Sequence, residues 1–194
     1  MHNKQLRKSI KVDSPLISTF QEIYFIIVSL AIVNSLRVYI GNYPIALLRS
    51  VVWSNYCNIL SCSQFNFWLL ASFLITIIRF SLGFIVFLRK HKLSISYPEL
   101  LLGFHYSIIT LLFFYYLSEF IPNKNVFCFI FMFLILFDSI WVLIFERDRF
   151  DIAWVWLVTN ILIFIFLWTF NPLLIFIITL LAAYIDYKYC RPLY

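Results

Sequence analysis

Six apolar stretches follow one another along this chain, with only short polar breaks between most of them. A hydrocarbon core about 30 Å thick takes roughly 20 helical residues to cross. Within that core every backbone donor and acceptor needs a partner inside the protein, which helices provide along their own length. The expected spans are 20–40, 67–88, 97–121, 126–145, 152–170 and 173–187. The last is short, so it tilts less or ends at the headgroups. The fold class is therefore all-α, a polytopic transmembrane bundle of six helices. Composition agrees: 63% of the 194 residues are hydrophobic and only 12% are charged. A water-soluble fold of this size has too little interior to hide that much apolar surface. One membrane domain over residues 1–194, with no soluble domain, is the expected organisation. The apolar run after the basic start is too long for a cleavable signal, so the first segment is expected to stay as a helix.

Charge orients the bundle. Cytoplasmic segments would hold Lys4, Arg7, Lys8, Lys11, Arg89, Lys90, Lys92, Arg147, Arg149, Lys188 and Arg191, against Arg49 and Lys124 on the other side. The positive-inside rule then places both termini in the cytoplasm, with basic tails at 1–14 and 188–194. Trp68 and Trp168 fall near the outer interface and Trp154, Trp156, Tyr184 and Tyr187 near the inner one, where amphipathic rings sit well. The protein is expected in a membrane as a multi-pass component, the inner membrane if the host is bacterial. Its formal charge of +6 is split among short loops rather than gathered in a stripe. Nucleic acid is therefore not an expected partner, whereas anionic lipid is.

Punctuation supports the boundaries. Ser96 with Glu99 forms a capping-box pattern, Pro122 closes the third helix, and Asn171 before Pro172 opens the sixth. The one long connection, 41–66, lies outside and is expected to be partly ordered, with a short surface helix over 44–53. Cys57 and Cys62 share that loop, where an oxidising compartment permits a disulfide. Cys128 reads as a small core residue, and Cys190 as a free or lipidated thiol near the membrane.

A few polar groups lie within the spans, where each charge costs at least about 2.5–3.5 kcal/mol on insertion scales unless it faces protein or water. Counting about 1.5 Å per residue from the inner ends puts Arg79, His105, Asp138 and Asn160 in one layer, contributed by four helices. The functional reading is a site or pathway, with Arg79 neutralising Asp138 or an anion and His105 carrying a proton. The structural reading is a buried Arg79–Asp138 ion pair that sets helix register, with His105 and Asn160 filling leftover hydrogen-bond positions. A shallower set, Asn34, Arg37 and Glu119, lies near the outer face, where Arg37 and Glu119 either pair or reach the headgroups. Asp186 sits just within the inner membrane edge, among residues that otherwise form solvated ion pairs.

What is missing narrows the function. No HExxH, GxSxG, P-loop or dinucleotide fingerprint occurs, and His2, His91 and His105 are scattered, so no cofactor and no metal are expected. No proline interrupts the middle of a span, which argues against broken-helix transporters. The stretch Ile78-Arg79-Phe80-Ser81-Leu82-Gly83 has the look of a signature without resembling a named family. The leading expectation is a non-enzymatic membrane subunit, a homo-oligomer or one docked on another membrane or cytoplasmic protein. The basic rim of Arg89, Lys90, Lys92, Arg147 and Arg149 would be read by the cytoplasmic partner. The alternatives are a small channel or proton-coupled transporter using the polar layer, and a lipid-modifying enzyme with His105 and Asp138 as acid–base groups.

Overall fold

A computed structural model describes residues 14–49, 56–91, 97–145 and 150–190. It is all helical: α1 Ser14–Arg49, α2 Tyr56–His91, α3 Tyr97–Glu119, α4 Lys124–Phe145, α5 Phe150–Leu167 and α6 Pro172–Cys190. Among the described residues five helices are long and apolar enough to span a membrane. The sixth, α5, has 18 residues in all.

The helices close a ring. α1 packs on α2 and α3, α3 on α4, α4 on α5, α5 on α6, and α6 returns to α2. Its interior combines aromatic packing with small polar residues. Phe73 and Phe80 of α2 meet Phe114 of α3 edge to face at 6.2 and 5.6 Å, and Tyr24 of α1 stacks on Phe84 of α2 at 4.2 Å. Ser72, Thr76, Ser107 and Thr179 are also buried, and each hydroxyl donates to the carbonyl one turn earlier. That local bond makes a hydroxyl tolerable away from water. The outward faces carry Ile26, Leu30, Val33, Phe133, Ile144 and Ile165, all exposed. Polar side chains inside and apolar ones outside is the distribution a lipid solvent favours.

Helix α1 begins at Ser14 rather than 20, α6, expected to be short, runs 19 residues to Cys190, and two further boundaries depart from expectation. The connection at 41–66 is largely helix rather than loop, because α1 runs on to Arg49 and α2 begins at Tyr56. Each of these helices has 36 residues. At about 1.5 Å per residue that is roughly 54 Å, well beyond a hydrocarbon core of about 30 Å, so the pair projects past the membrane. The short surface helix expected at 44–53 is thus replaced by the end of α1, and residues 50–55 lie outside the described set. Cys57 and Cys62 both fall on α2, with side chains outside the described residues. Five residues of α-helix rise about 7.5 Å, more than the roughly 4.4–6.8 Å between Cα atoms that a disulfide spans, so continuous helix opposes the expected bond.

The second departure is at α5, which stops at Leu167 rather than 170. Phe170 there adopts the left-handed conformation, φ 49°, which lets the chain reverse. This conformation costs a non-glycine residue about 1–2 kcal/mol, and the edge-to-face contact of Phe170 with Phe129 of α4 offsets part of it. Asn171 then caps α6 as its sequence position predicts, its Oδ1 accepting from the backbone N–H of Leu173 at 3.1 Å and Leu174 at 3.3 Å. Asn123 does the same for α4 through Val126 N–H at 3.3 Å, directly after Pro122. Ser96 lies outside the described residues.

Candidate functional site

Arg79 leaves α2 toward the ring interior and is 2% exposed. Its Nε donates to Oδ2 of Asp186 on α6 in a buried ion pair. Its Nη2 donates to the Thr159 hydroxyl on α5 at 2.9 Å, and that hydroxyl lies 3.1 Å from the other Asp186 oxygen. Trp156, one turn before Thr159 on α5, places its ring 5.0 Å from the guanidinium carbon. Cation–π attraction of this kind strengthens when the cation is desolvated.

Gly83 makes the approach of Trp156 possible. It lies four residues after Arg79, on the same face of α2. A Cβ at this position would collide with Cη2 of the Trp156 ring and sit 3.1 Å from its neighbours Cζ2 and Cζ3. The Ile78–Gly83 stretch therefore has a physical explanation. Arg79 supplies the cation, and the missing side chain of Gly83 leaves room for the aromatic lid over it.

Asp138 of α4 is also buried, and it serves a second group of partners. Tyr106 of α3 donates its hydroxyl to Oδ1, and Asn160 of α5 donates to Oδ2 at 2.9 Å. The Tyr106 ring is held against α4 by stacking on Trp141 at 4.1 Å and Phe137 at 5.3 Å. Asn160 also lies 3.2 Å from the Ser139 hydroxyl. Successive residues of α5 thus join the two groups: Thr159 touches Arg79 and Asp186, and Asn160 touches Asp138. Nη1 of Arg79 and Oδ1 of Asn160 are buried and have no partner. Such orphan atoms in a native interior are usually met by water or a ligand.

The sequence-predicted layer is therefore brought together for Arg79, Asp138 and Asn160, but with different pairing. Arg79 makes its ion pair with Asp186, because α2 and α6 are neighbours in the ring whereas α2 and α4 are not. His105 is not in the cluster. It is exposed on the outer side of α3, and its Nδ1 is 2.7 Å from the Leu101 carbonyl of its own helix. The next residue, Tyr106, occupies the place expected of it. One position is 100° of helix rotation, enough to exchange an inward for an outward side chain. A signal for that rotation was available: Gly103, Ser107 and Thr110 mark the buried face of α3, and His105 lies opposite Gly103. Thr159 and Trp156 had no comparable signal, since a threonine in a span usually satisfies its own helix and a tryptophan near an end resembles an interfacial anchor.

The shallower set forms an open cleft of about 430 Å³ lined by Asn34, Arg37, Val38, Gly41, Glu119 and Pro122. Asn34 Nδ2 donates to Glu119 Oε1 at 2.9 Å and to the Ser118 hydroxyl at 2.7 Å, tying α1 to α3. No ion pair joins Arg37 to Glu119 among the described residues, and both are exposed. No group of three or more candidate metal ligands occurs among the described residues. Comparison of the chain with protein-family models, with curated proteins and with solved structures gives no match, so the geometry alone carries the functional reading.

Proposed function

We propose that this chain is a non-enzymatic integral membrane subunit whose buried polar network holds five of its six helices, α2 to α6, in one arrangement. The observation that carries the reading is the Arg79–Asp186–Thr159 clasp, which draws three helices together through one guanidinium. Its outer face is left apolar, suited to lipid and to a second membrane protein or copy of itself. The test is assembly and melting of the purified protein in lipid nanodiscs, for wild type, Arg79→Met and Arg79→Met/Asp186→Leu. The single variant should lose both stability and assembly, and the double variant should recover both, since an apolar pair replaces an ion pair more readily than an orphaned charge does. A stable monomer in every case would defeat the subunit reading.

A second reading, proton-coupled transport, is favoured by Asp138. One guanidinium serves two buried carboxyls, and Asp186 already occupies it; the donors to Asp138, Tyr106 and Asn160, are neutral. A clasp needs no second acid, whereas a pathway that takes up a proton does. Proton flux into liposomes that disappears in a folded Asp138→Asn protein supports this reading, and absence of flux with wild type rejects it. For a lipid-modifying enzyme, acid and base must lie within reach of one another. His105 and Asp138 face opposite sides of the helix wall.

A further inference from the structure

The cleft between α1 and α3 has a chemistry that the buried network does not explain. We propose that it binds the zwitterionic headgroup of an ethanolamine phospholipid, with Arg37 on the phosphate and Glu119 on the ammonium. This assignment is independent of the subunit and transport readings.

Position is the first argument. Helix α3 ends at Glu119, the apolar run of α1 is interrupted at Gly41 and Asn42, and both Gly41 and Glu119 line the cleft. A cleft at the ends of two apolar spans lies at headgroup depth, while α1 continues to Arg49 beyond it. Charge is the second. The cleft holds one guanidinium and one carboxylate, and these do not pair with each other among the described residues. Asn34 donates to Oε1 of Glu119, which holds the carboxylate in place at the cleft. Arginine suits a phosphate because its planar fork presents two parallel N–H groups. A ligand carrying both an anion and a cation offers one group to each of these side chains, whereas a singly charged anionic headgroup would set its charge beside Glu119.

The lining also discriminates between zwitterions. Quaternary ammonium groups such as choline are held by aromatic faces. Among the described residues that line the cleft none is aromatic. A carboxylate is instead matched to a primary ammonium, which donates hydrogen bonds.

The experiment is native mass spectrometry of the full chain released from mixed vesicles of phosphatidylethanolamine, phosphatidylcholine and phosphatidylglycerol in equal proportion. Wild type should retain the ethanolamine lipid about three- to fivefold over the choline lipid, the size of one partly screened ion pair. Glu119→Gln should erase the preference for ethanolamine over choline, and Arg37→Gln should lower retention of both. Thermal melting of each variant serves as the folding control, since these exposed side chains should leave it unchanged. Equal retention of the two lipids by wild type, or variants that retain lipid as wild type does, would overturn the proposal. Soluble glycerophosphoethanolamine added to protein in detergent provides the last arm. If it alone binds with the same residue dependence, and the phospholipid does not, the lipid assignment fails.

Discussion

The network inside the ring and the cleft between α1 and α3 use the same groups, an arginine, carboxylates and an asparagine amide, in opposite settings. Inside, Arg79 is buried to 2% and is matched by an acid, a hydroxyl and an indole drawn from two other helices. At the cleft, Arg37 and Glu119 are exposed and stay apart. The difference is what solvent permits. A charge in a low-dielectric interior must be compensated by the protein, and its partners become fixed; a charge at headgroup depth is screened and free to meet something else. Buried pairing therefore sets architecture, and exposed non-pairing leaves room for recognition.

That contrast predicts a steep ranking of effects. Arg79→Met should be the most damaging change, about 3–5 kcal/mol, because it orphans Asp186; partial or full rescue by Asp186→Leu, read by melting in nanodiscs, would show the pair acts as a unit. Should the single change cost nothing, the interior would be as wet as the cleft and the comparison would fail. Gly83→Ala should follow at about 1–3 kcal/mol, since the added methyl displaces the Trp156 ring from Arg79. Loss of tryptophan fluorescence shift relative to wild type reports that displacement.

Tyr106→Phe sharpens the comparison at the level of one hydrogen bond. Removing the donor to Asp138 should cost about 0.6–1.7 kcal/mol, the range for interhelical hydrogen bonds in membranes. His105→Phe, one residue earlier and facing outward, should leave melting unchanged. If the histidine change is the larger, the rotation of α3 is other than described. Smallest of all, Arg37→Gln and Glu119→Gln should each shift stability by less than about 0.5 kcal/mol, while changing which lipid is retained.

How far these regions were legible in the sequence differs in kind. Depth counted from the span ends picks out Arg79, Asp138 and Asn160, and all three are buried, linked through Thr159 and Asn160 of α5. Depth, however, says nothing about rotation, so it does not separate His105 from Tyr106. Nor does it give helix order. Asp186, counted at the membrane edge, is the partner of Arg79 because α6 closes the ring on α2. The outer connection differs from expectation for a simpler reason: apolar stretches report where lipid ends, and helices such as α1 and α2 continue past that limit.

The residues by themselves determined that the chain is helical, how many helices it forms and where most of them turn. Those features follow from local causes, the need to satisfy each backbone group in lipid and the capping of helix ends by Asn123 and Asn171. Only the tertiary structure decided which polar side chains meet. In lipid the apolar residues are equally at home facing outward or inward, so hydrophobicity leaves each helix free to rotate and to choose its neighbour. Packing removes that freedom: once Trp156 lies on Gly83 and α6 on α2, Arg79 has Asp186 as its counterion and Asp138 is left with neutral donors.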